Sequence, residues 1–314
     1  MKMKRKAALI VMIAALFLSA NIAMAKSDMV DIKGSDTLIN VVQKLAETYM
    51  KGHPNTSIAV TGGGSGTGIA ALINKKCTIA NSSRSIKAKE IEDAGNKGVD
   101  AKRVVVAIDG LSVIVNSQNP LDKLTVEDIG KIYRGDVKNW KELGGSDGPI
   151  ALYGRQSNSG TYDFMKENVM KGEYSPNLKA MNGNAQIVEA VKQDVGGIGY
   201  VGVGYVKDAT GITVLKVASS PALGYFSPLN SVDVKTGNYP ITRPLNQYTD
   251  GAPKGVAKDF IIFELSPEGQ EIIENEGFFA IPKEYHKYNN NTLGIVGEPE
   301  AKDAKYSVNG RDGN

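Results

Sequence analysis

Thr61-Gly62-Gly63-Gly64-Ser65-Gly66-Thr67-Gly68 follows a short alternating run, Ser57-Ile58-Ala59-Val60, and precedes Ile69-Ala70-Ala71-Leu72-Ile73. The first run predicts a strand and the last predicts the opening turns of a helix. A strand, a glycine-rich turn and a helix start form a corner that favours anions. First-turn N–H groups have no intrahelical partner, and the helix dipole adds partial positive charge. Glycine lets the backbone approach a ligand closely, and Ser65 and Thr67 add hydroxyl donors.

The same construction occurs twice more. Ile32-Lys33-Gly34-Ser35-Asp36-Thr37 leads into the apolar-periodic positions Leu38, Val41, Val42 and Leu45. Arg155-Gln156-Ser157-Asn158-Ser159-Gly160-Thr161 leads into Tyr162-Asp163-Phe164-Met165. Strands alternating with helices along the whole chain predict an α/β fold with a largely parallel sheet, arranged as two α/β lobes with a ligand between them. The three corners are expected to converge on one small oxyanion.

The first residues have the pattern of an export signal. Lys2, Lys4, Arg5 and Lys6 precede an apolar stretch from Ala7 to Ala20, and Ala23-Met24-Ala25 forms an A-x-A cleavage site. The apolar stretch is short for a membrane span. Residues 1–25 are therefore expected to be a signal peptide. With no lipobox cysteine near the cleavage site, the mature chain is expected to be periplasmic and unanchored. Removing four basic and no acidic side chains takes the formal charge from +3 to −1. The basicity belongs to the leader, and nothing in the charge favours nucleic acid or an anionic membrane. Cys77 is the sole cysteine, which excludes an internal disulfide, and it reads as a small buried apolar residue. His53 and His286 have no partners at metal-ligand spacing. No metal, cofactor or catalytic set is expected.

Other segments carry expectations about the fold. Val104–Ile108 and Leu111–Val115 read as strands interrupted by Asp109-Gly110. Tyr239–Asn246, with two prolines, reads as an edge strand or a connection. From about Lys283 the chain turns polar. No internal repeat is visible.

Enzyme and nucleotide motifs fail on their details. Gly63 to Gly68 has the glycine spacing of a phosphate-binding P-loop, but Ile69 and Ala70 follow where lysine is needed. Gly197-Ile198-Gly199-Tyr200-Val201-Gly202 formally matches G-x-G-x-x-G, but its apolar context reads as close packing against a sheet. No serine sits in a nucleophile elbow. The donors fit an oxyanion better. A tetrahedral oxyanion offers about a dozen acceptor positions. Ser35, Thr37, Ser65, Ser83, Ser159 and Thr161 with nearby amides can fill them, and Arg155 can add a charge-assisted pair. Each hydroxyl taken alone is more simply a helix cap, and it is the repetition at three corners that favours a site.

With those residues in view, the chain resembles the periplasmic phosphate-binding proteins of ABC phosphate importers (the PstS family), in its short-chain branch. The most specific part is Leu124-Thr125, Ile132-Tyr133-Arg134-Gly135, Asn139-Trp140, Arg155, Ser159-Gly160-Thr161 and Phe164. Leu265-Ser266-Pro267-Glu268-Gly269-Gln270, Gly277-Phe278 and Ile281-Pro282 are similar to the family's C-terminal segment. The resemblance implies a type II periplasmic binding protein fold, two α/β lobes joined by two hinge strands near Asp109–Val113 and Tyr239–Asn246. The implied lobes are 26–111 with 244–290, and 112–243, followed by a polar tail, 291–314. It also implies a non-enzymatic, monomeric receptor for inorganic phosphate that serves the membrane permease subunits of an ABC transporter. Phosphate contacts are expected from the Gly34–Thr37 corner with Ser35, Asp36 and Thr37, and from Ser65, Ser82, Ser83, Arg84, Arg155, Ser159, Gly160 and Thr161.

One departure matters. Better-known members carry an aspartate in the stretch matching Asn81-Ser82-Ser83-Arg84, where it accepts the proton of phosphate; the matching position here is Ser83. Asp36 is expected either to replace that acceptor or to act as a first-turn carboxylate. Arg84 is expected to add charge. Alternatives are a receptor for sulfate, molybdate or arsenate, an exported phosphatase, and a signalling or adhesion protein on the same scaffold.

Overall fold

The computed structural model describes residues 28–295. The signal-peptide expectation and residues 296–314 lie outside them. From its start the chain runs β1 (Asp28–Gly34), a 3-10 turn, α1 (Ile39–Gly52), β2 (Thr56–Thr61), α2 (Ser65–Ile73), β3 (Ile79–Ser82), α3 (Ala88–Asn96) and β4 (Ala101–Gly110). It continues through β5 (Ser112–Asn116), β6 (Lys123–Thr125), α4 (Val126–Arg134), β7 (Ala151–Arg155), α5 (Gly160–Phe164), a π turn over Met165–Met170, β8 (Lys179–Met181) and α6 (Asn184–Gln193). The remainder is β9 (Gly197–Val201), β10 (Ile212–Val214), β11 (Lys216–Ala218), α7 (Ser231–Lys235), β12 (Thr242–Asp250), α8 (Gly255–Leu265), α9 (Pro267–Asn275) and α10 (Lys283–Leu293).

Two five-stranded sheets result, ordered β2-β1-β3-β12-β4 and β10-β5-β9-β7-β8. In the first, β1 runs parallel to β2 and β3, and β12 runs antiparallel to β3 and β4. In the second, β7 runs parallel to β8 and β9, and β5 runs antiparallel to β9 and β10. Read from opposite ends, the two sheets have the same order and the same directions. The fourth strand of each arrives from the other half of the chain. The sequence shows no repeat, but the topology does. The sheets are thus mixed rather than largely parallel, because each lobe must accept one returning strand.

Both crossings are short. The chain leaves the first sheet at Gly110 and enters the second at Ser112, and it returns between Ile241 and Thr242. Asp109-Gly110 does not interrupt a strand; it is the last step of β4. Leu111 N–H bonds Ile241 C=O at 2.9 Å, and Tyr239 Oη donates to Leu111 C=O at 2.6 Å, so the crossings are laced together.

β12 corrects the edge-strand expectation, since it lies inside the sheet between β3 and β4. Pro244 is tolerated for a local reason. It faces Ile108, whose N–H and C=O both bond Phe279, so the Pro244 nitrogen points away from β4. On its other side β3 pairs only with Asn246–Tyr248. The missing N–H therefore costs no ladder bond. The polar segment from Lys283 is a helix, α10. Its Asn289 accepts from Val105 N–H at 2.9 Å and donates to Val105 C=O at 2.7 Å, covering the free edge of β4.

The helices bury periodic apolar faces against the sheets. Val41, Val42, Leu45 and Tyr49 of α1 are buried, as are Ile129, Ile132 and Tyr133 of α4. Thr125 caps α4 and exchanges bonds with Asp128. β3, β5 and β9 are buried along their whole length. The G-x-G-x-x-G match is packing, because a Cβ on Gly199 would lie 2.5 Å from Ile187 Cγ2 and 2.9 Å from Val191 Cγ2 of α6. Cys77 is partly buried, and desolvation pushes its thiol up to about 12, which leaves it protonated and inert.

One buried acid stands out. Glu264 of α8 is fully buried; its Oε1 accepts from Gln247 Nε2 at 3.1 Å, while Glu264 Oε2 and Gln247 Oε1 have no donor. Burial pushes this carboxyl well above the usual range, against a smaller lowering by the Gln247 bond. The native state thus holds a proton that the unfolded chain releases near pH 4.3. Its stabilising contribution is complete below that value and declines as pH rises, by up to about 1.4 kcal/mol per unit. Glu264→Gln should be more stable than the parent at pH 7.5 and lose that advantage toward pH 4.5 in urea unfolding. Parallel stability–pH curves for the two proteins would show that Glu264 is charged when folded.

Candidate oxyanion-binding site

The corners are built by strands of both sheets. At the end of β1, Gly34 has φ +136°, and a Cβ there would lie 2.2 Å from Asn81 C=O. Only glycine fits that approach. It lets Ser35 N–H bond Asn81 C=O at 2.9 Å and Gly64 N–H bond Gly34 C=O at 2.9 Å. The first two corners and the end of β3 are therefore joined through the backbone. Gly64, at φ +90°, meets the third corner, where a Cβ would lie 2.5 Å from Asn158 C=O.

The corners of the two lobes bond directly. Gly66 N–H donates to Asn158 C=O at 3.0 Å, and Asn158 Nδ2 donates to Gly63 C=O at 2.8 Å. Tyr205 Oη donates to the Asp36 carbonyl at 2.6 Å. Between them lies a chain of buried hydroxyls. Thr37 Oγ1 is 3.1 Å from Thr161 Oγ1, Thr161 Oγ1 is 3.4 Å from Ser83 Oγ, and Ser83 Oγ is 3.3 Å from Ser65 Oγ. All four residues are 1% exposed or less. Hydroxyl protons rotate, so such a chain can turn its donors toward a common acceptor.

Arg155 closes one side. Its Nη2 donates to Asn182 C=O at 2.8 Å and to Asp36 Oδ2. Its Nε and Nη1 are buried with no partner. Buried guanidinium N–H groups are expensive to leave unpaired, so these two free donors call for an anionic acceptor. Asp36 is committed as well: Oδ1 accepts from Gly63 N–H at 3.0 Å while Oδ2 takes Arg155. It is a bridge between lobes, lying against the guanidinium that carries the unpaired donors.

Arg243 was not among the residues expected from sequence. It is 2% exposed, and its Nε and Nη2 bond Asp109 Oδ2 at 2.9 and 2.8 Å. Nη1 donates to Ser83 C=O at 3.0 Å and Nη2 to Thr161 Oγ1 at 3.1 Å. Asp109 Oδ1 accepts from Val203 N–H at 2.9 Å. Burial lowers the Arg243 pKa, opposed by Asp109; an arginine stays charged under such a shift. A lone Asp inside the apolar run Val104–Val115 was the available signal, but nothing in sequence paired it with Arg243.

The remaining expected residues divide. Ser159 caps α5, its Oγ accepting from Thr161 N–H at 3.1 Å, so cap and site coincide there. A Cβ on Gly160 would lie 2.4 Å from Ser65 Oγ, so this backbone reaches the hydroxyls. Ser35 is 2% exposed at the first corner and makes no cap bond. Ser82 and Arg84 are turned elsewhere. Ser82 Oγ donates to Arg84 C=O at 2.7 Å. Arg84 Nη1 donates to Ser85 C=O at 2.9 Å and Glu90 Oε2 at 2.7 Å, and Nη2 donates to Glu90 Oε1 at 2.8 Å. Its Nε lies 2.9 Å from Asp163 Oδ2 as an ion pair without hydrogen-bond alignment. Burial would raise the Glu90 carboxyl, but the bonds from Arg84 and Lys87 N–H hold it below the usual range.

The chain is similar to known proteins. Residues 20–268 match the model of the PBP superfamily domain. The phosphate-binding protein PstS of Pseudomonas aeruginosa is 33% identical over 267 residues, covering 79% of this chain and 82% of that protein. PstS of Bacillus subtilis is 31% identical over 255 residues, covering 80% of each. Among solved structures, a putative phosphate ABC transporter substrate-binding protein with bound phosphate from Clostridium perfringens superposes with TM-score 0.73 at 30% identity, over 81% of this chain and 100% of that one.

The Arg243–Asp109 pair should dominate local stability. Arg243→Met leaves Asp109 buried and unpaired, and should cost about 3–5 kcal/mol in urea unfolding. Arg243→Met with Asp109→Asn should recover part of that loss. A cost under about 1 kcal/mol for the single change would mean the pair does not hold the crossing.

Proposed function

The chain belongs to the PstS family of the PBP superfamily, and on that premise we propose that it captures inorganic phosphate between its lobes and hands it to the membrane permease of an ABC importer. The observation that carries this reading is the pair of unpartnered nitrogens, Nε and Nη1, of buried Arg155, together with the buried Thr37–Thr161–Ser83–Ser65 hydroxyl chain. Ser35, Thr37, Ser65, Ser83, Ser159, Gly160 and Thr161 supply hydroxyl and backbone donors, and Arg155 supplies the charge. Ser82 and Arg84 support the loop rather than the ligand.

Tetrahedral phosphate at near-neutral pH carries a proton that sulfate lacks. A site rich in donors accepts both ions, so discrimination needs an acceptor for that proton. Asp36 fills this role. Arg155 fixes one lone pair of Oδ2 and Gly63 N–H one of Oδ1, and each oxygen keeps another lone pair. A full carboxylate there repels fully ionised sulfate.

Donors from both lobes explain release and capture. Phosphate bound to one lobe leaves the other lobe's donors unmet, and closing about the crossings at 110–112 and 241–242 engages both. No part of this requires chemistry on the ligand, so the protein acts as a receptor and not as an enzyme. It works as a monomer without cofactor, outside the cytoplasm, after cleavage of residues 1–25. The lobes are 26–111 with 244–290, and 112–243.

Calorimetry on residues 26–314, unfolded and refolded to strip carried-over anion, tests the reading. Phosphate and arsenate should bind at micromolar concentration or tighter and raise the melting temperature at millimolar ligand, with no response to sulfate. No response to any oxyanion would overturn it. Arg155→Met should weaken phosphate at least about 100-fold. Asp36→Asn should bring sulfate affinity up toward that of phosphate. If Asp36→Asn still rejects sulfate and binds phosphate as tightly, Asp36 is not the proton acceptor.

A further inference from the structure

Asp163 lies on α5, three residues beyond Gly160, and its carboxylate faces the other lobe. Its Oδ2 is 2.9 Å from Arg84 Nε and 2.8 Å from Lys87 Nζ. Arg84 and Asp163 are each 8% exposed. Glu90 and the Ser85 carbonyl occupy the rest of the Arg84 fork, so this guanidinium is fixed in aim before it meets Asp163. Three of its five N–H groups are used in hydrogen bonds without the hydroxyl chain, and Nε faces Asp163.

We infer that Asp163, Arg84 and Lys87 form an electrostatic latch across the cleft, separate from the ligand donors, that sets how long the lobes stay closed. This inference rests on the phosphate-receptor reading. The pair exists only when the lobes meet, because its partners lie on β3–α3 of one lobe and α5 of the other. It therefore acts on opening and not on encounter. It is also placed to matter. Asp163 N–H bonds Ser159 C=O at 3.2 Å, so the carboxylate is attached to the same turn that presents Ser159, Gly160 and Thr161. Pulling Asp163 toward Arg84 presses those donors into the cleft. Together with Asp36–Arg155, the latch is reciprocal: each lobe offers one carboxylate to a cation of the other.

These are positioning residues, and the test reads rates and lobe separation. Asp163→Asn and Lys87→Met are made in residues 26–314, Lys87 being half-exposed and the safer change for folding. Stopped-flow phosphate release should speed about tenfold in Asp163→Asn and a few-fold in Lys87→Met, with the association rate unchanged. Spin labels on Glu47→Cys and Ala185→Cys, in a Cys77→Ala background, should report a longer or broader interlobe distance in the ligand-free variants. Arg84→Met combined with Asp163→Asn should release phosphate no faster than the worse single variant. Unchanged release and unchanged distances in both variants would overturn the latch. So would additive losses with Arg84→Met far worse than Asp163→Asn, which would place Arg84 on the ligand. If the parent protein ignores phosphate, the receptor reading fails, and the ligand-free distances still decide the latch.

Discussion

The buried pair between Arg243 and Asp109 is the constraint from which the rest of the site follows. Two charges with 2% and 0% exposure persist only if every donor and acceptor around them is met. Arg243 meets this need by reaching Ser83 C=O in one lobe and Thr161 Oγ1 in the other, and Asp109 by taking Val203 N–H. The partners stand on β4 and β12, the strands that carry the chain between lobes. The crossing, the end of β3 and the third corner are thus fixed relative to one another by electrostatic satisfaction.

The duplicated topology places everything else. In each sheet the middle strand of the parallel trio, β1 or β7, ends at a corner that faces the other lobe. Two copies of one arrangement, turned toward each other and exchanging one strand each, bring two sets of helix starts to a common space. That is why the proposed oxyanion donors come from both lobes. It is also why contacts such as Gly66 to Asn158 join corners nearly a hundred residues apart in sequence. Hydroxyls dominate because they can be satisfied by one another and by an anion, whereas a buried cation has to be matched by a buried anion. Arg155 shows the limit of that rule, with Nη2 held by Asp36 and Asn182 while Nε and Nη1 are unmatched.

Much of the fold was legible because it is local. The strand–corner–helix pattern depends on neighbours within a few residues, and the three corners stand where the sequence places them. β12 was misjudged because the rule about proline assumes that a strand's two sides are alike. Only the pairing of Ile108 with Phe279 shows that the Pro244 nitrogen faces no partner. The segment after Lys283 was read from its polarity, yet Asn289 uses that polarity to close a sheet edge.

The sequence by itself determined the elements, the three corners and the kind of ligand they suit, since glycine, hydroxyl and helix-start chemistry act over a few residues. Tertiary structure decided which charges meet. Arg84 and Arg155 both sit beside corner motifs and look alike in sequence. One is taken up by Glu90 and Asp163, and the other keeps two unpartnered nitrogens beside Asp36. Arg243, with no motif around it, joins the site because Asp109 lies directly opposite it on the neighbouring strand. Charge pairing is long-range in sequence and short-range in space, so only the folded chain can assign it.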